Sequence, residues 1–275
     1  MPRLVELGVE THCVSRHPVI GPAGPIWHNC DLSDTEAVEH LLGSVRPDLV
    51  IHLASTVTGT RDRAEVLPIL QANLVAAVNL MSFMAPTARM VLAGSMEEPT
   101  GSGDPVPGSP YAAAKWAASG YARMFGALYD MAVVNLRIFM VYGPGQPDRK
   151  KLIPSTIDAL AAGFAPQIGS GERLVDWVYV DDVIHAILLA ATRSECVGAQ
   201  IDVGTGTQHS IREVAEALSG IIAPTISPAF GVVADRPLES STLANIADTR
   251  RLLDWVPAVC LADGLQLTVA GDLGP

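Results

Sequence analysis

Apolar runs that alternate with helix-forming segments limit this chain to one class of fold. Three runs, LVIHLA at 49–54, ARMVLAGS at 88–95 and AVVNLRIF at 132–139, have the length and largely unbroken apolar character of buried strands. Strands that are covered by helices on both faces show such runs instead of a period of two. Segments that favour helix, 67–84 and 109–125, lie between them. This alternation predicts an α/β fold with a doubly wound parallel sheet.

Weaker patterns extend this prediction along the chain. After VYGPG at 141–145, glycine and proline become more frequent, and we expect a smaller C-terminal α/β lobe that shares elements with the sheet. Further helices are expected at 4–7 (ended by Gly8), 34–42, 154–162 and 211–219, further strands at 11–15 and 200–207, and a strand followed by a helix at 172–192.

The acidic balance of the chain argues against one class of partner. The 275 residues carry a formal net charge of -11, and the sequence pI is near 5.0. Nucleic-acid binding normally needs a basic footprint, so we expect no nucleic-acid partner. We find no apolar run of ~18 residues and no signal peptide, so we expect a cytoplasmic protein without a membrane span.

Cysteine and histidine spacing argues against disulfides and metals. Cys13, Cys30, Cys196 and Cys260 lie far apart without a Cys-x-x-Cys pair, and the 7 histidines form no His-x-x-x-His set. We therefore expect buried, reduced cysteines and no metal site.

A tyrosine and a lysine are spaced to share one face of a helix. The chain has only three lysines, and Lys115 follows Tyr111 by four residues. Ser109 suits the N-cap of this helix, Pro110 suits its first turn, and the alanines that follow favour helix. Residues four apart lie one turn apart on the same face. The pair is either a surface tyrosine packed on a lysine stem or a phenol whose proton is mobilised by the ammonium.

Polar residues stand at the carboxyl ends of three predicted strands. Ser15 and Arg16 end the first, Ser55 and Thr56 end the second, and Ser95 ends the third. Ligands of open parallel sheets bind beyond the carboxyl ends of the strands. A serine that ends a strand is often only a turn residue, but together with the Tyr111–Lys115 helix these residues indicate a site.

The chain resembles an extended short-chain dehydrogenase/reductase, the family of nucleotide-sugar epimerases, dehydratases and ketoreductases. Nine motifs carry the resemblance in family order: DLSD (31–34), VIHLAS (50–55), VLAGSMEEP (91–99), SPYAAAK (109–115), LRIFMVYGPGQ (136–146), LIPSTIDALAAG (152–163), VDWVYVDDV (175–183), DVGTGT (202–207) and IADTRRLLDW (246–255). It implies a Rossmann-like sheet with a dinucleotide-binding domain at 1–145 that also takes in 176–205, and a substrate lobe at 146–175 and 206–275. It also implies a homodimer formed through the helix that carries Tyr111.

The resemblance implies roles for individual residues. Tyr111 would be the general acid/base, and Ser95 would hydrogen-bond the reacting oxygen. An ordinary phenol has a pKa near ~10, so work near neutral pH needs about 4 kcal/mol of phenolate stabilisation, which Lys115 and an oxidised nicotinamide ring can supply. Implied cofactor-binding residues are Ser15, Arg16, Asp31, Leu32, Leu53, Ala54, Ser55, Asn73, Tyr111, Lys115 and Phe139. Implied substrate-binding residues are Met96, Glu97, Met140, Leu152, Arg173 and Arg236.

The sequence departs from the family at its start. The family opens with a strand, a Gly-x-x-Gly-x-x-Gly turn and a helix, whereas this sequence opens with PRLVELG, which resembles the last turns of that helix. Either the true start lies upstream, which we favour, or the protein has lost the usual binding of the cofactor pyrophosphate. In both cases the sheet of the given residues should lack a central strand and expose apolar edges.

Two further departures bear on cofactor and substrate. The strand end Val14-Ser15-Arg16 has no acid for the ribose hydroxyls and suits a 2′-phosphate, so we expect NADP(H), with NAD as the alternative and stacking of Arg16 on adenine as another role. Ser95 is followed by methionine where family dehydratases have aspartate, which argues against dehydration. We therefore expect a nucleotide-sugar 4-ketoreductase. The alternatives are a 4-epimerase, a reductase of a non-nucleotide carbonyl substrate, or a non-catalytic cofactor-sensing relative.

Overall fold

The computed structural model describes residues 2–19, 24–101, 105–239 and 241–274, and it has mixed α/β structure. The strands are β1 (His12–Ser15), β2 (Ile26–Asn29), β3 (Leu49–His52), β4 (Arg89–Ser95), β5 (Ala132–Ile138), β6 (Met140–Tyr142), β7 (Leu174–Tyr179), β8 (Gln200–Val203) and β9 (Gln208–Ser210). The α-helices are α1 (Pro2–Glu6), α2 (Thr35–Val45), α3 (Val66–Leu70), α4 (Ala76–Phe83), α5 (Pro110–Tyr129), α6 (Leu152–Ala161), α7 (Val180–Thr192), α8 (Ile211–Ile222), α9 (Ile246–Leu253) and α10 (Leu261–Leu273).

The chain divides into two compact units. Unit 1 comprises Met1–Leu92 and Ser109–Val134, and unit 2 comprises Ala93–Gly108 and Asn135–Pro275. The chain therefore passes from one unit to the other within β4 and again within β5. These boundaries differ from those of the domains predicted by function (1–145 with 176–205, and the remainder), and that functional division stays a prediction.

Unit 1 contains two parallel strand pairs. β1 pairs with β2, and β3 pairs with the first part of β4, with Leu49 opposite Arg89 and His52 opposite Leu92. Among the described strands, β1 and β2 form a sheet of their own. Val14 of β1 and Ile26 of β2 are 36% and 48% exposed. The buried core of the unit is formed by Cys30, Val38, Leu41, Leu42, Ala77, Leu80, Met81, Met84, Ala88, Met90, Leu92, Ala118, Ala122, Phe125, Met131 and Val133.

The helical segment Arg63–Phe83 changes its winding in the middle. A 3-10 turn at Arg63–Glu65 leads into α3, a π-helical turn at Gln71–Val75 follows, and α4 completes the segment. A π turn adds one residue to the local repeat and is frequent at functional sites. By length and composition alone this 21-residue helix could cross a membrane. Core helices pass the same test, and this one buries Ile69, Ala76, Ala77, Leu80 and Met81.

Helix α5 begins as its sequence predicts. The Ser109 hydroxyl caps the N-terminus by accepting a hydrogen bond from the backbone N–H of Ala112 at 3.0 Å, and Pro110 is the first helical residue. The helix ends at Asp130, which has a left-handed φ of 54° and whose backbone N–H bonds the carbonyl of Phe125. Tyr111 and Lys115 lie in the first two turns of this helix, close to its capped N-terminus.

Unit 2 is organised around a buried carboxylate. β5 pairs with β8 and β6 with β7 in parallel, and β9 runs antiparallel to β7. Asp176 of β7 is fully buried and accepts the backbone N–H groups of Thr205 at 2.7 Å and Gly206 at 2.9 Å, together with the Thr205 hydroxyl at 2.7 Å. This carboxylate fixes the glycine-rich turn that follows β8.

The structure also corrects several expectations. Cys260 is exposed and Cys13 is half-buried, so only Cys30 and Cys196 behave as buried hydrophobes. The short strands β2, β6 and β9 were not predicted, because three or four residues are too few to show a period. The helix α10 was not predicted either. In the part of the chain that the structure describes, no group of three His, Cys, Asp or Glu residues could hold a metal ion.

Candidate functional site

Tyr111 and Lys115 form a buried pair on α5. Their exposed fractions are 7% and 4%, and the Lys115 Nζ lies 5.8 Å from the centroid of the Tyr111 ring. This distance is within the range of cation–π contacts, and a positive charge so close favours negative charge on the phenol oxygen. The predicted shared face is confirmed, and the packing is that of an interior pair and not of a surface one. Their chemical role stays a prediction.

The positive charge of Lys115 affects the pKa of His52, another buried residue of unit 1. This residue of β3 is 3% exposed, and its Nε2 has no hydrogen-bond partner among the described residues. Burial, and secondarily the positive charge of Lys115, lower the pKa of His52 to about 3. The imidazole is therefore neutral at ordinary pH. The charge of Lys115 acts through the buried interior of unit 1, where electrostatic interactions are stronger than in water.

The ends of β1, β2 and β3 surround one cavity of unit 1. Its volume is about 280 Å³. It is lined by Val14, Ser15, Arg16, His17, Cys30, Asp31, Leu32, Ala54, Ser55, Thr56, Ala72 and Ala76. Six of the predicted cofactor-binding residues are thus brought together: Ser15, Arg16, Asp31, Leu32, Ala54 and Ser55. Leu53, also predicted, is 54% exposed and is not part of the lining.

The polar rim of this cavity carries both signs of charge. The Asp31 carboxylate accepts the backbone N–H of Ser33 at 2.9 Å and its hydroxyl at 2.7 Å. Both bonds lower the pKa of Asp31, and the bond from the Ser33 backbone N–H has the larger effect. The positive charge of Arg16 acts in the same direction. Arg16 is exposed, directly after β1, and so presents its guanidinium to solvent at the cavity.

Asn73 holds the loop after β3 in place. Its side chain is 1% exposed. The carbonyl Oδ1 accepts the Thr56 N–H at 2.7 Å and the Ser55 hydroxyl at 3.1 Å, and the amide Nδ2 donates to the Thr56 carbonyl at 3.1 Å. The π turn of the helix contains this residue, so Asn73 acts on the cavity through the loop that lines it. The sequence predicted that Asn73 contacts the cofactor directly, but holding the loop requires no such contact.

Ser95 ends β4 and belongs to unit 2. It is 5% exposed, and its Oγ accepts the backbone N–H of Glu97 at 3.2 Å. Its neighbour Met96 is buried, donates its backbone N–H to the Ile138 carbonyl at 3.0 Å, and accepts the Thr242 hydroxyl at 3.3 Å. The three predicted residues 95–97 therefore form one ordered turn.

Arg173 and Arg236 share an acidic partner in unit 2. The Glu239 carboxylate lies 3.3 Å from the Arg173 guanidinium and 3.9 Å from that of Arg236. Arg173 is 17% exposed and Arg236 is 59% exposed. The two arginines that were predicted to bind phosphate are thus brought together, with a carboxylate between them that was not predicted.

The other predicted residues of unit 2 lie at strand and helix ends. Phe139 is buried directly after β5, with the Arg137 guanidinium 5.7 Å from its ring centroid. Met140 begins β6 opposite Trp177, and Leu152 begins α6. Both are half-buried, so their side chains are partly open to solvent.

Sequence reasoning missed several residues of these clusters. Thr56 was noted only as a residue at a strand end, Glu98 only as part of the motif VLAGSMEEP, and Glu239 not at all. A polar residue next to a predicted site residue is the only signal that could have identified the first two. The position of Glu239 between two arginines depends on the tertiary fold.

Comparisons with known proteins agree with this architecture. A profile of the NAD dependent epimerase/dehydratase family matches residues 1–204. A UDP-glucose 4-epimerase from Mycolicibacterium smegmatis is 32% identical over 243 residues, which are 83% of this chain and 77% of that protein.

Two solved structures superpose over nearly the whole chain. UDP-glucose 4-epimerase from Thermotoga maritima, with UDP-glucose, has a TM-score of 0.88 and 23% identity and covers 98% of this chain and 93% of that one, which shows a shared fold. MoeE5 in complex with UDP-glucose and NAD has a TM-score of 0.86 and 27% identity over 98% of this chain and 92% of that one. The Rossmann-like α/β fold and the match over most of the chain lead to one conclusion: the protein belongs to the NAD dependent epimerase/dehydratase family of enzymes.

Proposed function

We propose that the protein is an NADP(H)-dependent oxidoreductase that acts on a nucleotide-activated sugar and reduces a ketone at C4 of that sugar. The observation that carries this proposal is the buried Tyr111–Lys115 pair. The Lys115 ammonium lies 5.8 Å from the ring centroid of a buried phenol, and this arrangement suits proton transfer because the positive charge stabilises the phenolate that remains.

The proton and charge movements can be assigned to residues of this chain. A bound nicotinamide dinucleotide supplies or accepts the hydride at the sugar carbon. In the direction of reduction, Tyr111 gives its phenol proton to the carbonyl oxygen as that oxygen becomes a hydroxyl. Lys115 balances the phenolate, which regains a proton from solvent. Ser95 donates a hydrogen bond to the same oxygen, which is the role that its motif implies.

The cavity of unit 1 fits the adenosine end of such a cofactor. Val14, Ala54 and Ala76 offer apolar surface for a purine ring, and Ser15 offers a hydroxyl for its ribose. The described residues contain no Gly-x-x-Gly-x-x-Gly turn for the pyrophosphate. The fit is therefore argued for the adenosine end and, separately, for the nicotinamide end at Tyr111.

The choice of NADP(H) depends on Arg16. It lies at the cavity, no acid ends β1, and Asp31 is already bonded by Ser33.

Titration with NADPH and with NADH, followed by nicotinamide fluorescence, measures the preference. Arg16→Ala should weaken NADPH binding about 10-fold or more and leave NADH binding nearly unchanged, since a charge-assisted phosphate contact contributes about 1.5–3 kcal/mol. Arg251→Ala, which removes an exposed arginine of α9, should change neither. Equal loss for both cofactors would favour stacking on adenine over a 2′-phosphate contact.

A 4-epimerase is the second candidate, and the similarity to UDP-glucose 4-epimerase from Mycolicibacterium smegmatis favours it. The two candidates differ in redox balance. A reductase consumes one NADPH for each product molecule, whereas an epimerase turns over without net change of its cofactor. Incubation with NADPH and a nucleotide-linked 4-ketosugar, and separately with UDP-glucose, decides between them by absorbance and product chromatography.

The diphosphate of the substrate is assigned to Arg173 and Arg236. Their shared partner Glu239 must give way or reorient when phosphate arrives, because a carboxylate and a phosphate compete for the same donors. Arg173→Ala should raise KM for the nucleotide sugar with little change in kcat. An unchanged KM would favour a carbonyl substrate without a nucleotide.

We also propose a cytoplasmic homodimer that forms through α5. Trp116, Tyr121, Leu128 and Tyr129 of this helix are between 39% and 67% exposed, which is a large apolar surface for one helix. Tyr121→Glu should convert a dimer into a monomer in light-scattering measurements, whereas Ile221→Glu on α8 should not. A monomeric wild-type protein would contradict this proposal.

A further inference from the structure

Glu98 is a buried carboxyl group one turn after Ser95. It is 2% exposed. Its Oε1 accepts the backbone N–H of Ser95 at 2.7 Å, and its own backbone N–H donates to the Ser95 carbonyl at 3.1 Å. Side chain and main chain thus close the same turn from both sides. The backbone of Ser95 is held at its N–H and at its carbonyl by one residue.

The hydroxyl of Ser95 is oriented by the same turn. Its Oγ accepts the backbone N–H of Glu97 at 3.2 Å. This bond uses an acceptor site of the oxygen and leaves its proton to donate elsewhere. A fixed backbone and a fixed lone pair together define the direction in which the hydroxyl can donate.

Gly94 makes room for the Glu98 carboxyl. A Cβ at position 94 would lie 2.5 Å from Glu98 Oε1 and 2.7 Å from Asn135 Oδ1. No real Cβ tolerates such distances, so any other residue at 94 would displace the carboxyl or the strand. The other carboxyl oxygen, Oε2, lies 3.5 Å from the Gln200 side-chain amide of β8. Glu98 is therefore set between β4 and β8 with little freedom to move.

Burial of a carboxyl group is costly, and a hydrophobic residue would fill this space at lower cost. Two of the bonds of Glu98 are made to Ser95, for which the proposed function requires a defined hydroxyl direction. We infer that Glu98 is a positioning residue that holds Ser95 in the orientation needed to bond the reacting oxygen of the substrate. This inference rests on the proposed function.

The test compares Glu98→Ala with Glu98→Gln. The alanine variant should lower kcat about 10- to 100-fold, the range expected when a reacting group is misplaced by about 1 Å. KM and the Kd for NADPH should stay within about 2-fold, because Glu98 is buried and is not among the residues assigned to either ligand. The glutamine variant keeps an oxygen for the Ser95 N–H and should recover most of kcat. Gly94→Ala should lower kcat as Glu98→Ala does.

Asp182→Ala is the matched control. Asp182 is a buried carboxyl of the same unit, 4% exposed, which accepts the backbone N–H groups of Ala258 and Val259 at 3.0 and 3.1 Å. Its loss should lower the stability of the protein without lowering kcat of the folded fraction. Equal kcat losses in Glu98→Ala and Asp182→Ala, or no loss in Glu98→Ala, would overturn the inference.

Amide hydrogen exchange separates this inference from the proposed function. Exchange of the Ser95 amide should be slow in wild type, much faster in Glu98→Ala, and slow again in Glu98→Gln. A slow Ser95 amide in Glu98→Ala would overturn the positioning role whatever the activity. A wild-type protein that binds NADPH but reduces no 4-ketosugar nucleotide would overturn the proposed function and with it the catalytic reading of the turn.

Discussion

The buried His52 imidazole is neutral in the folded protein, and this makes the protein lose stability in mild acid. The pKa of His52 is lowered from 6.5 to about 3 by burial and by Lys115. Below pH ~6.5 the unfolded chain therefore binds a proton that the folded chain does not, until the folded pKa is reached. The contribution of His52 to stability is complete above the unfolded pKa and is lost as pH falls toward the folded pKa. One pKa unit corresponds to about 1.4 kcal/mol, so the loss between pH 7 and pH 5 is about 2 kcal/mol.

Urea unfolding at pH 7, 6 and 5, followed by tryptophan fluorescence, measures this loss. Ordinary carboxyl groups titrate below pH ~5, so histidines dominate this window. Between pH 7 and pH 5, the free energy of unfolding of His52→Leu should fall by about 2 kcal/mol less than that of wild type. His40→Leu, which removes an exposed histidine of α2, should keep the wild-type dependence. The same pH dependence in wild type and His52→Leu, or a His52 resonance that titrates near its ordinary pKa, would refute the reasoning.

Three further predictions concern single side chains. Asn73→Ala removes three hydrogen bonds to the loop after β3, so it should weaken NADPH binding and lower the free energy of unfolding by about 1–3 kcal/mol. A Kd like that of wild type in titration would contradict it. Asp176→Ala leaves several buried N–H donors of unit 2 without an acceptor and should lower the free energy of unfolding by about 3 kcal/mol in urea. A loss below ~1 kcal/mol would show that water replaces the carboxylate. Lys115→Met should raise the pKa of His52 in NMR titration and slow turnover; an unchanged His52 pKa would remove the electrostatic link between the two residues.

The elements that could be predicted are those whose sequence carries its own local signals. Helix α5 has a capping serine, a proline at the first helical position and a run of alanines, and its start was correct to the residue. The buried strands β3, β4 and β5 were predicted from apolar runs. Their ends were less exact, because hydrogen-bond pairing, and not composition, decides where a strand stops.

The elements that could not be predicted depend on contacts between distant parts of the chain. The strand β9 has three residues and exists because β7 lies beside it. The carboxyl of Glu98 lies beside the side-chain amide of Gln200 in β8, about one hundred positions further along the chain. The pairing of Arg173 with Glu239 joins residues more than sixty positions apart. Local propensity contains none of this information, whereas the spacing of Tyr111 and Lys115 does.

The central claim is that a phenol beside an ammonium performs the proton transfer of a carbonyl reduction. Its most direct test is NADPH oxidation in the presence of a nucleotide-linked 4-ketosugar, by wild type and by Tyr111→Phe, with the NADPH Kd measured on the same samples. We expect turnover in wild type, loss of at least ~100-fold in the variant, and closely similar cofactor binding. A variant that folds, binds NADPH and turns over at the wild-type rate would contradict it.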